Sequence, residues 1–200
     1  MIVKSAKIYF FGFIAGTVFC FLLFHALPQV YLALINLLIR KIEAQVALGR
    51  AFHLNISAVL ILNNVSASFI MAYGGVILSR IRMRVSGGTI SSHYLLLRAF
   101  PLLILFLNGF VLGAFLVLYL SYFHEKALKF LGGLLPHGTF EIPGIILSGA
   151  IGLKIAELGN LKGVGELKNQ INGQVKGTLR TYAVAVFLLV IGGIIEGSMI

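Results

Sequence analysis

The sequence predicts an all-α polytopic membrane protein: a transmembrane helical bundle of about five membrane-spanning helices plus an interfacial or short re-entrant helix. Three observations carry that reading. Hydrophobic residues make up 59% of the 200 residues and charged residues only 11%. Mean hydropathy is +1.01. Apolar runs recur at the length a helix needs to cross a bilayer, about 20 residues at 1.5 Å rise each. A soluble core of this size would need far more charged surface to cover it.

The first span is predicted over about 8–27. No small-residue cleavage site follows it, so it is expected to be a retained helix and not a removed signal. Its Cys20 is the single cysteine, which excludes an intrachain disulfide and reads as a small buried apolar side chain. Gln29 to Phe52 is apolar but carries Arg40, Lys41, Glu43 and Arg50 in its second half. It reads as an amphipathic helix or hairpin along the interface, with a short membrane-dipping helix over Val30 to Ile39 as the alternative. The remaining spans fall at about 54–79, 99–123, 139–158 and 181–200, all within one integral membrane domain covering 1–200.

Sixteen Lys and Arg stand against six Glu, and Asp is absent. The net charge of +10 does not point to nucleic acid, because the basic residues lie in short segments between apolar spans, where they meet anionic headgroups and set orientation. With a cytoplasmic N-terminus, eleven basic residues fall inside, from Lys4 and Lys7 through Arg80, Arg82, Arg84 and Arg98 to Lys154, Lys162, Lys168, Lys176 and Arg180. Five fall outside: Arg40, Lys41, Arg50, Lys126 and Lys129. The bias predicts a multi-pass protein of the cell membrane with its N-terminus in the cytoplasm.

That orientation gathers ionisable groups in one leaflet. His137 and Glu141 open the fourth span, Glu196 nears the outer end of the fifth, and His25 nears the outer end of the first. At helical spacing His137 and Glu141 share a face. Two carboxylates there cannot both stay charged without a cation, a proton or a histidine between them. The pattern suits a proton or divalent-cation site, and equally a structural knot of hydrogen bonds between helices. A divalent cation is the only cofactor it suggests, and it specifies no metal. Pro136, Gly138 and Pro143 interrupt the same stretch, which predicts a break or kink near Ile142 and a half-helix over Leu131 to Glu141.

Small residues recur at four-residue spacing: Gly12 and Gly16, Gly109 and Gly113, then Gly144, Ser148 and Gly152, and Gly193 and Gly197. Membrane helices associate along such lines because backbones can approach closely. A homo-oligomer, at least a dimer, is the expected assembly, through span four or five with Gly149 and Gly193 at the contact. Among the mid-span amides, Asn64 and Ser68 are expected to face Asn108 across a structural helix contact, with Asn63 and Ser66 nearby. His53, His93 and His124 read as solvated or interfacial.

Enzyme motifs are nearly absent: no HExxH, paired cysteines, phosphate loop or GxSxG, and no Asp for a triad. An intramembrane metal-dependent hydrolase built on Glu141 and His137 would need further ligands, and only His25 and Glu196 could complete the set.

The run Leu135-Pro136-His137-Gly138-Thr139-Phe140-Glu141-Ile142-Pro143-Gly144, followed by Gly149 and Gly152, resembles the core motif of the stage II sporulation protein M family of integral membrane proteins. Asn108-Gly109 with Gly113 looks like that family's Asn-Gly helix, and Ile195-Glu196 resembles the end of its final helix. The resemblance covers roughly residues 52 to 200. It implies a membrane scaffold that works with envelope partner proteins in peptidoglycan remodelling, and it maps the family pattern onto His137, Gly138, Glu141, Pro143, Asn108, Gly109 and Glu196. Sporulation itself does not carry over.

Two function classes follow. One is a non-enzymatic membrane component, a helical scaffold for membrane or cell-envelope protein partners in the lipid bilayer. The other is a small cation or proton channel or transporter that uses the His/Glu site. The orientation is directly testable. In intact cells an impermeant thiol reagent should modify a cysteine placed at Lys126 and leave one at Ser86 unmodified; the opposite pattern would invert the map.

Overall fold

Apolar faces all round and few internal polar groups leave the chain helix as its only way to satisfy its backbone. The computed structural model describes residues 1–85, 90–157 and 164–198, without the side chains of residues 42, 90–92, 124–137, 164–165 and 197. The described residues form α1 (Ile2–Ala26), α2 (Pro28–Ala51), α3 (Ile56–Phe69), a π turn (Ile70–Gly74), α4 (Gly75–Val85), α5 (Ile90–Tyr122), α6 (His124–Ala156) and α7 (Val164–Ser198). No strand occurs among them. Five stretches are long and apolar enough to cross a membrane: Ile2–Ala26, Ile56–Val85, His93–Tyr122, Gly138–Ala156 and Glu166–Glu196. Each overlaps one of the five predicted spans, although the fifth begins at Glu166 against a predicted start of about 181. The predicted last residues of the fourth and fifth spans, 158 and 199–200, lie outside the described residues.

Local chemistry sets the boundaries. Pro28 has no N–H to give and takes the first position of α2, closing α1 before it. After α2, His53 adopts a left-handed φ of 56°, and Asn55 caps α3 by accepting from the Ala58 N–H at 2.8 Å. The segment predicted as an amphipathic interfacial helix is therefore one helix, α2. Its first turns pack Tyr31 and Ile35 onto Cys20 of α1 and Ala114, Val117 and Leu118 of α5. Its far end reaches α3, where Gly49 lies against Val59.

α1 and α5 run parallel and touch through glycine. Gly12 and Gly16 sit on the Phe106 and Phe110 backbones, and Gly109 and Gly113 sit reciprocally on the Tyr9, Phe13 and Thr17 backbones. A Cβ at any of the four would strike main-chain atoms. α6 and α7 run antiparallel, with Gly144 against Ala185 and Leu189, and Ile155 in one cluster with Leu167 and Ile171. α3 and α4 pair with α7 in the same antiparallel sense through Ser68–Tyr182, Tyr73–Thr178 and Arg80–Asn172 hydrogen bonds of 3.3, 3.4 and 2.6 Å. At the π turn the Met71 carbonyl comes against Gly152 of α6. α6 thus lies at the centre, in contact with α1, α3, α5 and α7.

Three expectations are corrected. His93, read as solvated or interfacial, is fully buried between α4 and α5, with its Nδ1 3.1 Å from the Ser79 hydroxyl. Of the break or kink predicted near Ile142, the break is absent, since α6 runs as one helix through Pro136 and Pro143. A proline within a membrane helix is tolerated where neighbouring helices hold the segment, and the Gly138–Ala156 stretch is the most enclosed of the five. Gly149 and Gly193, expected at a contact between chains, are instead covered within the chain, Gly149 by Leu105 and Gly193 by Ile61. The outward faces are apolar: Phe10, Phe11, Ile14, Val18 and Phe187 are all exposed, as side chains facing lipid would be.

The glycine contacts give an asymmetric prediction. Gly12→Leu and Gly109→Leu should abolish the folded, monodisperse species in detergent because the obstructing atoms are backbone. Gly173 has no atom within 4 Å of its would-be Cβ, so Gly173→Ala should stabilise by about 0.5–1 kcal/mol, read as a raised Tm.

Candidate functional site

A carboxylate on a membrane helix cannot be left to lipid, and Glu141 is enclosed by the bundle at 7% exposure. It projects from the first half of the enclosed part of α6. Its Cγ rests on Gly192 of α7, where a Cβ would collide with it. The Tyr9 hydroxyl of α1 lies within electrostatic range of its carboxyl group. Its Oε1 accepts a hydrogen bond from the Asn64 Nδ2 of α3 at 2.7 Å.

That bond ends a chain of side-chain amides. The Gln45 Nε2 of α2 donates to the Asn63 Oδ1 at 2.7 Å, and the Asn63 Nδ2 donates to the Asn64 Oδ1 at 3.3 Å. The carboxyl oxygen takes the Asn64 N–H, which leaves the Asn64 oxygen to accept from Asn63 and the Asn63 oxygen to accept from Gln45. One carboxyl group on α6 is thereby linked to side chains on two other helices.

Beside the chain is a cavity of ≈ 400 Å³ between α2, α3 and α5, with Lys41, Gln45, Asn63, Asn64 and Asn108 as its polar lining and Leu38, Ile104 and Val111 among its apolar walls. Lys41 and Gln45 are four residues apart, on one face of α2. The cavity therefore collects polar groups from three helices next to the buried carboxylate.

The other predicted residues fall as follows. His137 lies four residues before Glu141 in α6, and its side chain is outside the described residues. Glu196 is half-buried on α7, one helical turn beyond the Gly192 that carries Glu141. His25 is exposed at the end of α1, packed against the rings of Phe21 and Phe24 at 4.5 and 5.1 Å. It is sixteen residues beyond Tyr9, or about 24 Å along the helix, so the bundle does not bring it to Glu141. Gly138 is buried and Pro143 exposed on α6, and Gly109 carries the α1 contact. Asn108 does not bond Asn64. Its Nδ2 donates to the Ile104 carbonyl of its own helix at 2.8 Å, while Ser68 bonds Tyr182. Asn64 and Asn108 share the cavity, not a hydrogen bond.

Sequence reasoning did not assign Gln45 and Lys41 to this site. The available signal was an Asn63-Asn64 pair at mid-span with a polar face on the preceding helix. Among the described residues, no three His, Cys or Glu side chains come together as a metal-binding set.

With this geometry in hand, a family model described as Stage II sporulation protein M matches residues 8–199. The chain belongs to that family. The match takes in α1 as well as the helices from residue 52 onward on which the motif resemblance rests. No curated protein and no solved structure matches the chain. Membership and the five apolar helices make it a multi-pass membrane protein of the stage II sporulation protein M type.

Proposed function

We propose that the chain is a non-enzymatic membrane scaffold in which the Glu141-centred polar chain acts as an interhelical clamp. The supporting observation is that Gln45, Asn64 and Glu141 stand on three different helices, α2, α3 and α6, and are joined end to end through Asn63. Each link crosses or extends a helix contact that apolar packing alone would leave free to slide. In a bilayer there is no hydrophobic drive between helices, so directional bonds of this kind select one arrangement from many.

The same chemistry disfavours a proton pathway. A relay needs groups that take up one proton and release another, whereas a carboxamide N–H does not exchange in this way at neutral pH. Three consecutive amides orient a carboxylate well and conduct protons poorly. The second reading, a cation site, draws on the buried carboxyl group and the carbonyl oxygens of the adjoining cavity, but the basic residue Lys41 is part of that cavity's lining.

As a scaffold, the protein would present partners with surfaces other than its glycine lines, which its own helices occupy. Membrane or cell-envelope proteins, or a second copy of the chain, would meet the exposed outer faces. The charge bias supports an orientation in the cell membrane with the Arg80–Arg84 end toward the cytoplasm and the α2 end outside.

Melting the purified protein in detergent separates the readings. For the clamp, wild type should melt at one temperature with chelator or with added Mg2+, Mn2+ or Zn2+. Glu141→Leu should lower Tm by about 2–8 °C, equivalent to roughly 1–3 kcal/mol for the orphaned Asn64 donor. A metal-dependent rise in wild type that Glu141→Gln removes would contradict the clamp and establish the cation site.

A further inference from the structure

At the end of the bundle remote from α2, α1 and α7 both pack on α6 and leave a cavity of ≈ 610 Å³ between them. Its floor is one stripe of α6. Leu147, Ala150 and Ile151 come first, then Lys154 and Glu157, all at helical spacing. One wall is Met1, Ile2 and Val3 at the start of α1, and the other is Thr178 and Thr181 of α7. The α6 floor is therefore graded, apolar toward the middle of the span and charged at its end.

The charges at the rim do not cancel. Glu157 is matched by Lys4, whose Nζ lies 3.6 Å from its Oε1. Thr178 is spent internally, donating to the Gln174 and Val175 carbonyls and meeting Tyr73. Lys154 is exposed and forms no ion pair among the described residues. Thr181 is exposed on the α7 wall, and Ile2 and Val3 remain 55% and 68% exposed on the opposite wall. An uncompensated ammonium above open apolar walls has the polarity of a phospholipid in reverse: positive where the lipid carries phosphate, apolar where it carries acyl chain.

We propose that this cavity is a binding site for one anionic phospholipid. Its phosphate lies on Lys154, and an acyl chain follows Leu147, Ala150 and Ile151 between α1 and α7, along the α7 wall that carries Thr181. The proposal goes beyond the clamp and is independent of it, since the cavity and the Glu141 chain share no residue. By the basic-residue distribution the lipid belongs to the cytoplasmic leaflet, the side on which a phosphatidylglycerol-type headgroup meets the most Lys and Arg.

The test uses the whole protein in mild non-ionic detergent, with lipid retention read by native mass spectrometry and Tm in parallel. Added phosphatidylglycerol should be retained and should raise Tm, while phosphatidylcholine at the same concentration and inorganic phosphate at the same ionic strength should not. Lys154→Gln should weaken phosphatidylglycerol retention by about fivefold, the worth of one lysine at an anionic surface, and Lys154→Arg should restore it. Lys176→Gln, an exposed basic residue of α7 outside the cavity, should leave retention unchanged. Equal effects of the two lipids, an equal effect of free phosphate, or full retention in Lys154→Gln would each overturn the proposal. A loss of retention in Lys176→Gln as large as that in Lys154→Gln would overturn it too, by showing general electrostatic attraction instead of a site.

Discussion

A single carboxylate placed on the most enclosed helix of a membrane bundle has to receive hydrogen bonds from other helices, and the bond from Asn64 to Glu141 meets that demand. The requirement propagates outward. Asn64 donates to Glu141, which leaves the Asn64 oxygen for Asn63 and the Asn63 oxygen for Gln45. The rotation of α3 about its axis and the position of α2 over it are tied to the same side chain. Gly192 completes the arrangement by admitting the Glu141 side chain where any other residue would exclude it.

Close backbone approach is the second constraint, and it makes the polar chain geometrically attainable. α1 and α5 interlock through four glycines, and Gly152 admits the Met71 carbonyl at the π turn. A hydrogen bond of 2.7 Å between α3 and α6 requires neighbouring contacts tight enough to hold those helices in register. Packing sets the distance, and the carboxylate sets the direction. Along the spans, exposed Phe10, Phe11, Ile14, Val18 and Phe187 form the kind of surface that lipid accepts.

The five spans and the special standing of Glu141 were legible in the sequence because hydropathy and the cost of a buried charge are local properties of the chain. Its partner was not. Asn64 was expected to face Asn108, but an amide inside a helix can satisfy itself on the carbonyl four residues back, as Asn108 does with Ile104. The face of span two that turns toward span four depends on helix rotation, and no amphipathic stripe encodes that rotation when inner and outer faces are both apolar. The glycine lines were legible as sticky faces but not as faces already matched within the chain. Pro143 reads as a breaker by local rules, whereas α6 continues through it in an environment that holds the helix from several sides. His25 was grouped with Glu141 by leaflet, but its 16-residue separation from Tyr9 along α1 puts it at the other end of that helix.

Coupling between Asn64 and Glu141 is the claim on which the account rests, and a double-mutant cycle measures it without reference to ligand, metal or partner. Unfolding free energies would be compared for wild type, Asn64→Leu, Glu141→Leu and the double variant in one detergent. Non-additivity is expected: the double variant should be less destabilised than the sum of the single variants by about 0.5–3 kcal/mol, because each single change orphans a partner that the double change removes. Strict additivity, within about 0.3 kcal/mol, would mean that the two side chains do not depend on one another and would contradict it.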